Sequence, residues 1–383
     1  TEMRAIVYEK GFQPGFPKEV EADAERLEKT AKSDLAEEIK KRRDMRGVLT
    51  FTIDPVDAKD FDDAISYQVL ANGQTEIGVH IADVAHYLVP GTKLDSEARH
   101  RATSIYLVDR TIPMLPEVLS NDLCSLNADE DKLTFSAIFT FNADGKAVES
   151  WFGRTVIHSD KRFAYEDVQK ILDEKKGLYW EELEAVNKLA YKLRAEKMAN
   201  GAISFDRDEI KFILDEKGHP IKVVRKGRTD SNMLVEDFML LANRGVAEYV
   251  SKLVKNADKK FVYRIHDLPD REKLKQLANF IGPLGYKIKL DGEKIDQKSL
   301  NDLLKQSKGT PEEVMIQTAT MRSMSKAVYG MKNIGHYGLA FQYYTHFTSP
   351  IRRYPDVMVH RLLDLYLKHE QPSEAMLKDY EKL

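Results

Sequence analysis

The stretch that decides the fold runs from Thr52 to Ser66 and reads TIDPVDAKDFDDAIS. It holds five aspartates within ten residues, and apolar, strand-like segments flank it at 48–53 and 64–65. Two unit charges about 4 Å apart repel by about 4 kcal/mol at an effective dielectric of about 20. A carboxylate cluster that emerges from two buried strands therefore needs solvent or a cation to offset the repulsion.

The aspartates allow two interpretations, a solvated acidic turn and a metal site. Salt and separation make an acidic turn cheap at a surface. In favour of a metal site, Pro55 ends the first strand, so that Asp54 can return across a turn towards the later acids. Asp60 and Asp62 share one face of an extended segment, and Asp63 reaches it where the chain turns. Converging hard oxygen ligands suit Mg²⁺, with Mn²⁺ as a substitute, and the apolar flanks favour this metal site.

Length and composition favour a soluble globular protein, because 383 residues can bury a large core and the net charge is only −3. That balance carries no whole-chain signature of nucleic-acid binding, so a polyanion would need locally gathered basic residues. The single cysteine, Cys124, excludes an internal disulfide and indicates a reducing compartment. The sequence has no run of membrane-spanning length and no signal-peptide pattern, so we expect a cytoplasmic protein without membrane contact.

A second chemically distinctive stretch covers residues 335–361 and reads GHYGLAFQYYTHFTSPIRRYPDVMVHR. Thr348 and Ser349 precede Pro350, and Pro355 precedes an apolar helix. Prolines at these positions predict two helix starts, which would present hydroxyls and amide groups to an anion. We therefore expect Thr348 and Ser349 to contact a phosphate.

The same stretch contains two adjacent arginines, Arg352 and Arg353, whose planar donor forks match phosphate oxygens. Adjacent helical side chains point in different directions, so we expect one arginine to pair with Asp356. Two structural salt bridges are the alternative for the pair.

Carboxylates that hold magnesium, together with an arginine and hydroxyls, are the parts that phosphodiester hydrolysis requires. Tyrosines such as Tyr106 would stack the bases of a single strand, although a core or interface tyrosine is the alternative.

Three segments in order along the chain resemble the RNB family of exoribonucleases. The first is 52–64, the second is IPMLPEVLS at 112–120 with LCSL at 123–126, and the third runs from 335 to 356. Within the family, the motif sequences are more similar to those of the bacterial ribonuclease R branch than to those of the ribonuclease II branch. The resemblance covers about residues 48 to 370 and is highly specific, because three separate motifs occur in the same order.

The resemblance implies hydrolytic, Mg²⁺-dependent removal of 5′-mononucleotides from the 3′ end of RNA, performed processively in a channel that admits single strands. The resemblance also implies a role for each matching residue. Asp54 and Asp63 would be metal ligands, Asp60 would support the metal site and Asp57 would lie behind the ligands. Asp62 would be the aspartate most critical to catalysis, Arg352 would act on the scissile phosphate, and Tyr106 would stack on the terminal nucleotides. The stacking partner of that tyrosine has no clear equivalent at 266–269, which reads HDLP.

The expected fold is α+β, with a mixed, curled sheet around the aspartates and surrounding helices that enclose the RNA channel. We expect residues 1–47 to form a strand at 4–8 and a charged helical linker, as the end of a preceding cold-shock or OB domain. Residues 48–370 would be the RNB catalytic domain. Residues 371–383 would lead to a further OB-type RNA-binding domain that is absent from this sequence. Two competing functions are a catalytically silent RNA-binding module and a general metal-dependent phosphoesterase.

Overall fold

A computed structural model describes residues 2–108, 110–205, 209–215, 220–254, 260–291, 294–295 and 297–382. Its strands are β1 (Arg43–Asp44), β2 (Thr50–Asp54), β3 (Asp63–Val69), β4 (Thr75–Ala82), β5 (Ile105–Tyr106), β6 (Thr111–Ile112), β7 (Asp131–Phe141), β8 (Ala147–His158), β9 (Lys161–Ala164), β10 (Glu209–Leu214), β11 (Pro220–Lys226), β12 (Tyr263–Ile265), β13 (Leu290–Asp291), β14 (Lys294–Ile295) and β15 (Val328–Gly330).

The helices of the same residues are α1 (Glu2–Glu9), α2 (Lys18–Ile39), α3 (Val84–Tyr87), α4 (Lys93–Arg101), α5 (Tyr165–Glu174), α6 (Trp180–Ala199), α7 (Asp230–Leu253), α8 (Arg271–Ile281), α9 (Gln297–Ser307), α10 (Glu313–Ser323), α11 (Tyr354–Leu367) and α12 (Glu374–Tyr380). A π-helical turn spans Val118–Leu123, and 3₁₀ turns span Gly282–Leu284 and Tyr337–Leu339. Within the described ranges, no helix combines the length and the apolar character that crossing a bilayer requires.

A seven-stranded sheet organises these elements in the order β1-β8-β7-β4-β3-β2-β9. The pairs β1–β8 and β2–β9 are parallel, and the other neighbours are antiparallel. The expected α+β fold with a mixed sheet is confirmed. Strand β2 is buried along its whole length because it lies inside the sheet, between β3 and β9. This placement explains why the residues before the first aspartate are apolar.

Helix α7 packs on β4 and β7 and forms one wall of the core. It begins after Thr229, whose backbone N–H donates to Asn232 Oδ1 at 3.3 Å and so satisfies one of the amide groups at the helix start. Residues spaced by three and four, such as Leu234, Phe238 and Leu241, are buried. Truncation of a buried phenylalanine such as Phe238 to alanine costs about 3–5 kcal/mol of stability.

A second, smaller apolar cluster joins α8, α9 and α10. Its buried members are Leu274, Leu277, Ile281, Leu300, Leu303, Ile316 and Met324. Helix α10 packs on both α8 and α9. The cluster is separate from the core around the seven-stranded sheet.

The amino-terminal residues differ from the expectation. A strand was predicted at 4–8, but this segment belongs to α1 (Glu2–Glu9). A strand needs a neighbour for its backbone groups, and no strand of the described residues pairs with this segment. A helix satisfies the same groups internally, and it places Val7 in a buried position. The charged helical segment that follows is confirmed as α2, which packs on α4 through its apolar side.

Candidate active site

The aspartate stretch connects two antiparallel neighbours in the sheet. Strand β2 ends with Asp54, and β3 begins with Asp63. The eight residues between them, 55–62, are named here the aspartate loop. The loop starts with a turn in which the Ala58 N–H donates to the Pro55 carbonyl at 3.0 Å. The predicted return of Asp54 towards the later acids is therefore confirmed in its geometry.

The aspartates meet in a cavity of about 650 Å³. The residues that line it are Asp54, Pro55, Asp57, Ala58, Asp60, Asp62, Asp63, Tyr106, Leu107, Thr111, Tyr165, Ser349 and Arg352. The sequence-predicted acids, the predicted stacking tyrosine and the predicted arginine thus share one enclosure. The first and third sequence motifs both line this enclosure, although they lie far apart in the chain.

Asp62 is buried, with 5 % of its surface exposed, and it contacts the third motif. Its Oδ1 accepts the backbone N–H of Ile351 at 2.8 Å, and its Oδ2 lies 3.6 Å from Arg352 Nε. Arg352 also donates from Nη2 to Ser349 Oγ at 2.9 Å. The Arg352 side chain is 42 % exposed, so its guanidinium can reach a ligand in the cavity.

The electrostatics of the cavity favour the uptake of positive charge. Burial, together with the charges of Asp62 and Asp60, raises the pKa of Asp54 to about 7. Burial and the Asp54 carboxylate raise the pKa of Asp63 to about 7. Burial also raises the pKa of Asp62, against the opposing effects of Arg352 and the Ile351 N–H. Such groups lower their energy by binding a proton or a cation.

The carboxylates fit a magnesium ion in part. Asp54 Oδ2 is buried and has no hydrogen-bond partner among the described residues. An acceptor of this kind is costly unless a donor or a cation reaches it. Within the described ranges, however, no three His, Cys, Asp or Glu side chains are arranged to hold an ion by themselves. Magnesium tolerates this because it keeps several waters and binds through one or two carboxylates together with substrate phosphates.

Tyr106 lies at the mouth of the cavity and is 53 % exposed. Its hydroxyl donates to Asp60 Oδ2 at 3.0 Å. Burial of the hydroxyl and the Asp60 charge raise the pKa of Tyr106, so this hydroxyl stays protonated. The segment before it is tied to the arginine, because Ser104 N donates to the Arg352 carbonyl at 3.0 Å. Tyr106 and Arg352 are thus held in a fixed relation across the cavity.

The two adjacent arginines have different partners. Arg353 donates to both oxygens of the buried Asp356, from Nε at 2.9 Å and from Nη2 at 2.7 Å. Ser349 N donates to the same carboxylate at 2.8 Å. Asp356 is fully buried. Burial acts to raise its pKa, but the Arg353 charge and hydrogen bonds outweigh this effect, so the pKa of Asp356 is lowered. The prediction that one arginine pairs with Asp356 is confirmed, and Arg352 is the arginine that faces the cavity.

The predicted phosphate-contacting hydroxyls and helix starts need correction. Ser349 lines the cavity, whereas Thr348 is 4 % exposed and lies outside the lining. Residues 350–352 form a turn, so only Tyr354 begins a helix, and the prediction of two helix starts is wrong. The amide groups of this segment are also occupied, because the Ile351 N–H donates to Asp62 and the Ser349 N–H donates to Asp356.

Sequence reasoning missed three residues that shape the site. Tyr165 lines the cavity, and the charges of Asp63 and Asp54 raise its pKa in addition to burial. Arg162 donates from Nη2 to the Pro55 and Val56 carbonyls, both at 2.8 Å. Ser125 contacts the backbone of the aspartate loop. Of these three residues, only Ser125 could have been found from the sequence, because it belongs to the second motif.

The segment 266–268, where a stacking partner of Tyr106 was sought, lies elsewhere. It lines a different cavity of about 910 Å³, together with His336 and Tyr343. His266 Nδ1 accepts the Gly338 N–H at 3.0 Å, so the ring is engaged in local structure. Within the described residues, the aspartate cavity contains no partner ring from this segment.

Comparisons with known proteins identify the family. The sequence profile of the RNB domain matches residues 42–369. The chain belongs to the RNB domain family. It is 43% identical over 366 residues to ribonuclease R of Thermotoga maritima, covering 93% of this chain and 50% of that protein. The chain spans about half the length of the curated relatives that it matches.

One further relative and two solved structures are relevant to activity and RNA. A protein of Arabidopsis thaliana named inactive exonuclease DIS3L2 is 36% identical over 360 residues, covering 88% of this chain and 34% of that protein. Mycoplasma genitalium RNase R in complex with ribose-methylated single-stranded RNA matches with a TM-score of 0.88 and 29% identity, covering 99% of this chain and 60% of that one. Its complex with double-stranded RNA matches with the same TM-score. The similarity to this solved structure therefore extends over 99% of the chain.

Proposed function

We propose that this chain is a 3′→5′ exoribonuclease that hydrolyses single-stranded RNA to 5′-mononucleotides, processively and with Mg²⁺. The observation that carries the proposal is the meeting of Arg352 and Asp62 in the aspartate cavity. Membership of the RNB family and the ribonuclease R relatives support the direction and the substrate. Cytoplasmic action is part of the same proposal.

The reaction is the attack of water on the phosphorus of the terminal phosphodiester, with departure of the ribose 3′ oxygen of the shortened chain. Asp54 and Asp63 would hold Mg²⁺, with Asp60 beside them, and Mn²⁺ would substitute. The bound ion supplies Lewis-acid polarisation of the phosphate and stabilises its developing charge.

The chain's own groups have separate tasks in this reaction. Asp62 would orient the attacking water by accepting its hydrogen bond, because Ile351 and Arg352 hold its carboxylate in place. The Arg352 fork would donate to the non-bridging oxygens of the phosphate, where negative charge develops in the transition state. Ser349 supports this fork through its bond to Nη2.

RNA binding is proposed to use the half-exposed ring of Tyr106. A base of any identity can stack on an aromatic face, which suits a nuclease without sequence preference. The two complexes of the Mycoplasma relative contain RNA, one single-stranded and one double-stranded. The aspartate cavity of about 650 Å³ is lined in part by Tyr106, and we propose that it takes the 3′ end of a single strand as substrate.

The test uses RNA with a 5′ label and a free 3′ end, incubated with the purified chain and Mg²⁺. We expect a ladder of stepwise shortened products and release of 5′-mononucleotides. Processive action predicts fully shortened molecules beside intact ones when unlabelled competitor RNA is added after binding. Chelation of divalent ions with EDTA should stop the reaction, and added Mn²⁺ should restore it.

The alternative is an RNA-binding module of the same fold that does not cleave. The relative named inactive gives this alternative its basis. Intact RNA after long incubation with excess protein and Mg²⁺ would favour it. A general metal-dependent phosphoesterase is the second alternative, and equal cleavage of DNA and RNA of the same sequence would favour that reading.

A further inference from the structure

The aspartate loop is fixed by residues that do not line the cavity. The sheet places Asp54 and Asp63 directly, since they belong to β2 and β3. At the far end of the loop, the Ala82 N–H donates to the Asp62 carbonyl at 2.9 Å. The residues between them have no strand partner, so other contacts must decide where Asp60 points.

Ser125 contacts the loop on both sides of Asp60. Its Oγ accepts the Phe61 N–H at 2.9 Å and donates to the Lys59 carbonyl at 2.9 Å. The residue is fully buried, so water cannot replace these bonds at low cost. Next to it, the Leu126 N–H donates to the Phe61 carbonyl at 3.1 Å. The second sequence motif thereby sets the backbone that carries Asp60.

Arg162 contacts the first half of the loop. The donation from Nη2 to the Pro55 and Val56 carbonyls closes the turn that follows Asp54. Its guanidinium also lies 5.5 Å from the centre of the Phe61 ring, which connects the two halves of the loop. Parallel pairing of β9 with β2 puts Arg162 opposite Thr52 and so brings it to this position.

We propose that Ser125 and Arg162 are positioning residues that together hold the aspartate loop so that Asp54, Asp60 and Asp62 face one cavity. The inference rests on the proposed function, because it concerns how the nuclease site is assembled. Neither residue lines the cavity, so both act through the carboxylates. The arrangement matters because displacement of catalytic groups by about 1 Å can cost about 10²-fold in rate.

The first experiment compares Ser125→Ala with Ser136→Ala. Ser136 is also fully buried, and its Oγ bonds to His80 Nδ1 at 2.7 Å and Thr155 Oγ1 at 2.5 Å in the sheet, outside the cavity. Both variants lose buried hydrogen bonds, so both should lower the melting temperature. Only Ser125→Ala should speed hydrogen exchange in the peptide that covers residues 55–62.

The kinetic readout separates positioning from stability. We expect Ser125→Ala to lower kcat by about 10²-fold while KM for RNA stays within a small factor, because the RNA contacts are left in place. Ser136→Ala should keep the wild-type kcat at a temperature where both variants are folded. Mn²⁺ affinity of the RNA-free protein should fall in Ser125→Ala alone.

The second experiment replaces Arg162 with Met and with Lys. Met keeps an apolar stem but removes every donor, whereas Lys keeps a charged nitrogen that can reach the two carbonyls. We expect Arg162→Met to reproduce the kcat loss and the faster exchange of the loop, and Arg162→Lys to recover part of both. A simple loss of packing would not be rescued by Lys.

Several outcomes would overturn the inference. One is hydrogen exchange of residues 55–62 at the wild-type rate in Ser125→Ala and Arg162→Met. Another is an equal loss of kcat in Ser125→Ala and Ser136→Ala. If the wild-type chain leaves RNA intact, the proposed function fails, and loop exchange then decides the inference alone. Faster exchange confined to the Ser125 and Arg162 variants would support it in that case.

Discussion

The backbone N–H of Ile351 donates to Asp62 Oδ1 at 2.8 Å, across 289 positions of sequence. This bond joins the first and third motifs at the point where catalysis is proposed. The other oxygen of the same carboxylate faces Arg352 Nε at 3.6 Å. A buried carboxylate with one oxygen fixed and the other turned to the cavity is suited to orient a small ligand.

Replacement of Asp62 with Asn tests this role. Asn keeps the size of the side chain and can still accept the Ile351 N–H, but it loses the negative charge that orients the water. We expect the rate of RNA shortening to fall by about 10²–10⁴-fold, with RNA affinity near the wild-type value. Gel assays of labelled RNA and filter binding measure the two quantities. The exposed Asp144→Asn, in the hairpin between β7 and β8, serves as the control and should shorten RNA normally.

The adjacent arginines give a matched pair of variants. Arg352→Ala removes a partly exposed side chain, so we expect little change in stability but a loss of rate of about 10²–10³-fold. Arg353→Ala leaves Asp356 buried without its ion-pair partner, so we expect a loss of about 3–5 kcal/mol of stability. Urea unfolding and single-turnover kinetics separate these effects. Equal destabilisation by both variants would contradict the assignment of Arg352 to the cavity.

The residues of the candidate site could be predicted from the sequence because most of them belong to recognisable motifs. The aspartates, Ser349, Tyr106 and Arg352 meet in one cavity. This meeting was expected from the complementary chemistry of the motifs and from the resemblance to the RNB family, since charge patterns and flanking strands constrain each motif only separately. The mixed sheet was expected from the resemblance to the RNB family, and the structure confirms it. Thr348 was predicted to contact a phosphate because it precedes Pro350 beside Ser349, but it is 4 % exposed and does not line the cavity.

Long-range pairing could not be predicted from the sequence. The role of Arg162 depends on β9 lying parallel to β2, and no local pattern indicates which strands become neighbours. The amino-terminal segment was assigned to a strand from its apolar residues, but the sheet offers it no partner, and it is helical instead.

The pH dependence of stability follows from the acids in the cavity. Folding raises the pKa of Asp54 and of Asp63 from 3.8 to about 7. Between these values the folded protein retains protons that the unfolded chain has released, so the free energy of unfolding should fall as pH rises through this window. A divalent cation should restore stability above about pH 7, where it no longer competes with protons.

Thermal unfolding at about pH 6 and about pH 8.5, with EDTA or with Mn²⁺, measures this effect. We expect the stabilisation by Mn²⁺ to be larger at the higher pH. Asp54→Asn removes one of the two acids and should reduce the difference between the two pH values. Identical stabilisation at both pH values would show that protons and cations do not share these carboxylates. At subsaturating Mn²⁺, RNA shortening should likewise slow as pH falls below about 7.

Tyr106 combines a ring that can stack on a base with a hydroxyl that donates to Asp60 Oδ2 at 3.0 Å, and two variants separate these contributions. Tyr106→Phe keeps the ring, so RNA affinity should be retained, while loss of the bond to Asp60 should lower kcat by a modest factor. Tyr106→Ala removes the ring, and a lost stacking contact of about 1–3 kcal/mol predicts at least about fivefold weaker binding of a short single strand. Affinities are best measured in an Asp62→Asn background, where RNA is bound but not shortened. Equal affinities of the Phe and Ala variants would exclude the ring as a stacking surface, and the half-exposed position of Tyr106 would then need another explanation.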